Sequence, residues 1–233
     1  MEQADKVIRA KTMLLYVGIF SIIMLFAGLT SAYVVTMGSG YWVEISLPKA
    51  FYYSTITIIL SSLIYWRAFK QLQENKVNRF RYGLIITFFL GLTFAYFQFQ
   101  AYSELIEKGN YFSGDIGNIK GEYGTDYTVS YQGMDLIYED GNFYFPGDYE
   151  RRDALNSEIN KQFNSASGYL YVLSFLHLLH LIGGLIYLLI LIIMTFLGRI
   201  TSENQLKPKL AGIYWHFLDF LWIYLFFFLL FIH

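Results

Sequence analysis

The chain has 233 residues, no cysteine and a formal net charge of −1; 55% of its residues are hydrophobic and 20% aromatic. That is too apolar for an ordinary soluble domain. It excludes disulfides, thiolate metal centres and iron–sulfur clusters, and the near-neutral charge argues against a nucleic-acid partner.

Charge is unevenly placed. None occurs in residues 12–43, 50–66, 82–103 or 162–198, and residues 210–233 hold only Asp219. A bilayer-spanning helix needs roughly 20 mainly apolar residues. Four windows meet that length. The window 50–66 is short, but in "YWRAFK" Arg67 and Lys70 can snorkel and extend the helix. The expected fold is an all-α membrane protein with five transmembrane helices. Three lie in residues 1–107 and two in 166–233, with a long external insertion at 108–165. The N-terminal stretch carries charges of both signs before a long apolar run, with no small-residue cleavage site. It reads as a membrane helix rather than a signal peptide.

In the first helix Gly28, Ser31 and Ala32 form a small-residue strip that favours tight packing. Tyr41, Trp42, Tyr52 and Tyr53 read as an interfacial aromatic belt. Eleven basic residues fall on one side: Lys6, Arg9, Lys11, Arg67, Lys70, Lys76, Arg79, Arg81, Arg199, Lys207 and Lys209. Six fall on the other, mostly inside the long segment, which counts little in orientation. The expectation is a cytoplasmic N-terminus and an external C-terminus. Lys6, Arg9, Arg67, Lys70, Arg79, Arg81 and Arg199 are candidates for anionic lipid headgroups.

Between the third and fourth helices, residues 104–165 hold twelve acidic and five basic residues and eight glycines. "YTVSYQG" and "MDLIYEDGNFYF" read as short strands, the second turning at "EDGN". "YERRDALNSEINKQF" reads as helix. A connection this long points either to a partly ordered external flap or to a docking surface for a partner.

The chemistry-bearing residues are few. His177, His180 and His216 lie in the apolar windows with Asp219, and His233 ends the chain. Intramembrane ionisable groups are costly and face protein rather than lipid. At 1.5 Å per residue, His180 lies roughly 20 Å below the outer surface and Asp219 roughly 12 Å above the inner one. The two therefore sit at similar depth, within reach of a contact between adjacent helices. His216, three residues before Asp219, shares its face and competes for it. Gly184, four after His180, permits close helix approach. Trp215 and Trp222 lie on the Asp219 face and are expected to pack against helices or lipid chains. Four readings stand for the histidines: a metal site, a bis-histidine b-type haem in a membrane-anchoring cytochrome, a proton relay, or interhelical hydrogen bonds. Metal sites want more ligands than this inventory offers. A relay wants a continuous polar chain, and the third helix offers only Gln98, Gln100 and Tyr102 near its outer end.

"FLHLLHLIGG" (175–184) and "YWHFLDFLWIYLF" (214–226) resemble motifs of subunit III of the haem–copper terminal oxidases. They match at Phe175, His177, Leu179, His180 and Gly184, and at Tyr214, Trp215, His216, Phe217, Asp219 and Trp222. "FAGLTSAYVV", "LPKAFYYSTITIILSS" and "FQFQAYSEL" resemble the family's other helices, in order. Three departures stand out: Ile22 replaces the family's intramembrane glutamate, Ser54 replaces an asparagine, and the glutamate after the glutamine is displaced to Glu104 or replaced by Tyr102. The external segment is far longer than the family's usual connection.

The resemblance implies an accessory subunit of a proton-pumping, cytochrome c oxidase-type complex in a bacterial inner membrane. It implies no catalytic centre in this chain, with haem and copper in partner subunits. It also implies bound phospholipid, contact with subunit I above all and with subunit II and small subunits, and support of proton uptake. Residues 108–165 are expected to dock a periplasmic subunit or electron donor. His177, His180, Gly184, Trp215, His216, Asp219 and Trp222 are then structural or lipid-contacting positions.

Overall fold

The computed structural model describes residues 2–148 and 150–232, so His233 lies outside the described residues. The chain is mostly helical: α1 (Glu2–Met37), α2 (Lys49–Gln73), α3 (Val77–Glu107), a short α4 (Asn156–Ile159), α5 (Ser165–Phe196) and α6 (Leu206–Phe231). Five short strands join them: β1 (Tyr41–Ile45), β2 (Tyr127–Tyr131), β3 (Met134–Asp135), β4 (Ile137–Glu139) and β5 (Asn142–Tyr144). Four helices are long and apolar enough to cross a membrane, over Lys6–Met37, Val77–Glu107, Ser165–Phe196 and Leu206–Phe231. The shorter α2 is more polar, yet its 25 residues continue past Trp66 through Arg67 and Lys70. The Lys70 ammonium sits over the Trp66 ring, 3.7 Å from its centre.

The chain forms two compact units. The first comprises Met1–Leu25, Ala50–Gln98 and Phe175–Phe226; the second comprises Phe26–Lys49, Phe99–Ser174 and Phe227–His233.

In the first unit, helix periodicity decides what is inside. On α2 the buried positions Phe51, Ser54, Ile58, Ser61, Tyr65, Ala68 and Leu72 recur three or four apart. On α3 the same rhythm runs through Phe80, Leu84, Thr87, Gly91, Phe94 and Gln98. Small residues set the closest approaches. A Cβ on Gly83 would lie 2.4 Å from that of Ala68, and one on Gly212 would lie 2.7 Å from the Tyr65 ring.

In the second unit, Tyr33 is fully buried. It meets Trp42 (4.8 Å), Phe228 (5.1 Å) and Tyr169 (5.5 Å) edge-on. The Thr36 and Tyr169 hydroxyls share a 3.0 Å hydrogen bond. Trp42 is thus a core residue in β1 rather than part of an interfacial belt. Tyr52 and Tyr53, which belong to the first unit, stay exposed. The small-residue strip of α1 is also exposed: Ser31 and Ala32 face outward, and a Cβ on Gly28 would meet nothing within 4 Å.

β1 pairs antiparallel with β2, from Tyr41↔Tyr131 to Ile45↔Tyr127, and β2 with β3. β4 and β5 form the expected hairpin, with Asp140 (φ 50°) and Gly141 (φ 82°) as its two loop residues. Positive φ at both central positions is the turn whose twist matches a right-twisted ribbon.

The helix expected over 149–163 is reduced to α4. The reason is tertiary. Arg151 takes φ 52° and sends Nε and Nη2 to Glu139 at 2.8 and 3.0 Å. Asn156 accepts from the Phe143 N–H (2.8 Å) and donates to the Gly141 carbonyl (2.7 Å), while the Leu155 N–H reaches the Phe143 carbonyl (2.9 Å). These bonds spread the segment along the hairpin and override its helix propensity.

One surface charge ties this layer together. Asp126 accepts the Glu122 N–H at 3.0 Å and pairs with the Lys108 ammonium at 3.0 Å, and Lys108 also reaches Glu104 at 3.3 Å. The Glu122 amide first, then the Lys108 ammonium, hold the Asp126 carboxyl below its usual range. A depressed carboxyl stabilises the fold fully above the unfolded value, about pH 4, and the contribution fades as pH falls through the lowered value. The protection of the Glu122 amide against hydrogen exchange, relative to its intrinsic rate at each pH, is therefore expected to fall below about pH 4. In Asp126→Asn that protection should be low and flat with pH. A pH dependence unchanged in the variant would contradict this.

Candidate functional site

The polar residues of α5 and α6 do not gather into a ligand set. They are distributed along helix seams, and hydroxyls on α2 meet most of those on α6. The Trp222 indole N–H donates to Thr55 Oγ1 at 2.9 Å, and the Trp215 indole N–H donates to Ser61 Oγ at 3.1 Å. Ser62 Oγ and His216 Nδ1 lie 2.6 Å apart. The Tyr65 hydroxyl donates to the Pro208 carbonyl at 2.6 Å. From 55–222 through 61–215 and 62–216 to 65–208 the partners climb α2 as they descend α6, so the two helices run antiparallel and are laced by four bonds at three levels.

Trp215 and Trp222 are each 1% exposed. They pack helices together and do not present themselves to lipid. Gly91 on α3 and Gly184 on α5 make room for Trp215. A Cβ at Gly91 would lie 2.8 Å from its ring, and one at Gly184 would lie 3.2 Å from the ring and from Leu218. Gly184 thus permits the close approach that its spacing suggests.

Trp222 stands between Phe94, edge-on at 5.1 Å, and His177, tilted at 5.1 Å. His177 is fully buried, and neither ring nitrogen has a hydrogen-bond partner among the described residues. Nearby, the Gln98 amide donates to Ser54 Oγ at 3.1 Å.

Depth arithmetic puts His180 and Asp219 at one level, and α5 does lie against α6 there. His177 faces Trp222, and the Tyr214 hydroxyl donates to the His180 carbonyl at 3.1 Å. The His180 ring nevertheless donates from Nδ1 to its own helix, to the Leu176 carbonyl at 2.7 Å. Asp219 receives no hydrogen bond from it. His216 comes nearer, with Nδ1 at 4.0 Å from Asp219 Oδ2, too long for a hydrogen bond. Asp219 is 3% exposed, and the Ser62 hydroxyl, which meets His216 Nδ1 at 2.6 Å, is also a hydrogen-bonding neighbour of its carboxyl.

The basic candidates part company. Arg67 and Lys70 are exposed near the end of α2. Arg81 is committed inward: it donates to the Thr195 carbonyl at 3.1 Å and lies 4.4 Å over the Phe196 ring, complementing the C-terminal end of α5. No group of three or more His, Asp or Glu side chains suited to a metal ion occurs among the described residues.

The sequence reasoning passed over Thr55, Ser61, Ser62, Tyr65 and Gly91. The signal for the two serines was available, since "SS" closes the α2 motif already singled out.

No family model matches the chain. A stretch of 87 residues, 37% of the chain, is 30% identical to a probable cytochrome c oxidase subunit 3 of Mycobacterium tuberculosis, covering 43% of that protein. The corresponding protein of Nocardia farcinica is 31% identical over the same length. A 50-residue stretch, 22% of the chain, is 40% identical to cytochrome c oxidase subunit 3 of Arabidopsis thaliana, covering 19% of it. The chain thus spans less than half the length of the curated relatives it matches.

Proposed function

We propose that this chain is the accessory subunit III of a haem–copper terminal oxidase, embedded in a bacterial inner membrane and devoid of a catalytic centre of its own. The observation that carries the reading is the laced α2–α6 seam. Trp215, His216 and Trp222 of the subunit III-like motif on α6 meet Thr55, Ser61 and Ser62 of the subunit III-like motif on α2. Two stretches that separately resemble one family are thereby partners in one interface, and the similar proteins bear that family's name.

On this reading α2 is the fifth span. The N-terminus faces the cytoplasm, the C-terminus faces outward, and residues 108–165 stand outside as an insertion. The chain packs on the catalytic subunit, holds phospholipid and sustains proton uptake there, with Arg67 and Lys70 at anionic headgroups. The external insertion meets a periplasmic subunit or electron donor.

The rival reading, a bis-histidine b-type cytochrome, gains nothing from the geometry. The His177 ring is packed against Trp222 and Phe94, and His216 Nδ1 is engaged by Ser62. The test is purification through a tag on this chain, followed by native mass spectrometry and an optical spectrum. The expected result is a haem-bearing complex with a much larger partner, and no Soret band from the isolated chain. A Soret band in the isolated chain that vanishes in His216→Ala would overturn the reading.

A further inference from the structure

We propose that the α2–α3 face of the first unit is covered by phospholipid with short acyl chains, so that the bilayer thins where it meets this face. This rests on the reading of the chain as a membrane-embedded subunit with α2 as one of its spans, and names the lipid chemistry that one face selects.

Four large amphipathic rings stand out from that face. They are Tyr52 (43% exposed) and Trp66 (50%) on α2, and Tyr82 (67%) and Tyr96 (60%) on α3. Fourteen residues separate the members of each pair. The two helices run antiparallel. The Gln98 amide donates to Ser54 Oγ and the Tyr53 and Phe97 rings lie 5.9 Å apart, while toward the opposite end Gly83 lies against Ala68. Trp66 and Tyr82 therefore share one end of the face, and Tyr52 and Tyr96 the other.

Tyrosine and tryptophan rings with a wet edge and an apolar body settle at headgroup level and mark the two boundaries of a bilayer. Charge agrees with lipid as the occupant. Arg67 and Lys70 are exposed beside Trp66, with the Lys70 ammonium over its ring, where anionic headgroups complement them. Between the two levels the surface is apolar, through Ile56, Leu60 and Leu63 on α2 and Ile86, Phe89 and Leu92 on α3.

Fourteen helical residues rise about 21 Å, against about 30 Å of hydrocarbon in a typical bilayer. Tilt lowers the height that a helix covers, so it widens the shortfall. A band too short for its bilayer is met by thinning of the lipid around it. Within the same unit α5 supplies the comparison. Its exposed apolar stripe runs from Phe175 through Leu179, Ile186 and Ile193 to Leu197, twenty-two residues. That is about 33 Å, enough for a bilayer of ordinary thickness. The shortfall belongs to one face and not to the whole molecule.

The chain has no cysteine, so an introduced thiol reports on one position. The test places Tyr53→Cys, Leu60→Cys or Arg67→Cys on α2, and Leu179→Cys, Ile186→Cys or Ile193→Cys on α5, in the tagged full chain. Native membranes are treated with a permeant maleimide, the chain is purified, and the labelled fraction is read by mass. A thiol in hydrocarbon reacts slowly, because the thiolate is the reacting form and apolar surroundings disfavour it. Tyr53→Cys and Arg67→Cys are expected to react at least about tenfold faster than Leu60→Cys. The three α5 thiols, spread over the same fourteen residues, should all stay as slow as Leu60→Cys. Equal slowness at positions 53, 60 and 67 would overturn the proposal and leave α2 as a full-height span. Fast reaction at Leu60→Cys would show that α2 does not span, and the underlying reading of α2 would fall with the proposal. Photoreactive benzoylphenylalanine at Leu60 then identifies the occupant. Lipid adducts are expected, with shorter acyl chains than those captured from Ile186. Equal chain lengths at the two positions, or a membrane span of another protein captured at Leu60, would overturn the proposal.

Discussion

Trp222→Ala is expected to cost about 3 kcal/mol of stability, the low end for deleting a buried aromatic side chain. The low end applies because the reference state is a separated helix in lipid, so no apolar surface returns to water and the loss is one of packing and hydrogen bonding. Both losses are large here. The indole touches Phe94 and Phe51 edge-on and lies against His177, and its N–H is taken by Thr55. Removing it opens a hole at the meeting point of four helices. Trp222→Phe keeps a ring and gives up the hydrogen bond, so its cost should be about 1 kcal/mol. Unfolding midpoints in mixed micelles separate the two variants. Equal behaviour would mean that the Thr55 bond dominates and that the aromatic cluster contributes little.

The apolar windows made α1, α3, α5 and α6 legible, because a span long enough for a bilayer is set by length and lack of charge, and both are written locally. The buried face of α2 was harder to read. Ser54, Thr57 and Ser61 look like solvent-facing residues to any hydropathy scale. In the fold they are buried, and their hydroxyls return to the Phe51, Tyr53 and Ile58 carbonyls one turn back. A hydroxyl satisfied within its own helix can face a neighbour at little cost and still accept from an indole.

The strand partner of β1 was invisible for another reason. Tyr41 pairs with Tyr131 across the whole of α2 and α3, and no local period announces a pairing that distant. The β4–β5 hairpin, closed by its own Asp-Gly turn, was legible because the signal and the structure share one short stretch. For His180 the sequence leaves a contact with Asp219 possible, and the ring instead turns to its own helix. The sequence places a ring at a level in the membrane, and the choice between Asp219 and the Leu176 carbonyl is made by packing.

Two glycine-to-alanine substitutions should move stability in opposite directions. Gly109 ends α3 in the left-handed region at φ 80°, with the Gly109 and Asn110 N–H groups returning to the Ile106 and Leu105 carbonyls. Such a cap favours glycine because a Cβ there is strained by about 1–2 kcal/mol. Space adds to the strain, since a Cβ on Gly109 would come 2.1 Å from the Asn118 carbonyl oxygen. That atom belongs to backbone, held by the return of the Lys120 N–H to the Lys108 carbonyl at 2.9 Å, and it cannot swing aside as a side-chain tip could. Conformational strain and overlap together put Gly109→Ala at about 3 kcal/mol destabilising. The damage should be read in the segment after α3, as faster hydrogen exchange at Lys120 and quicker proteolysis around it. Gly28→Ala is the control in the other direction: it lies mid-helix, its Cβ would touch nothing within 4 Å, and helix propensity favours alanine by up to about 1 kcal/mol. If Gly109→Ala left exchange at Lys120 unchanged, the segment between α3 and α5 would not be anchored on the end of α3, and its order would have to come from the Tyr41–Ile45 pairing instead.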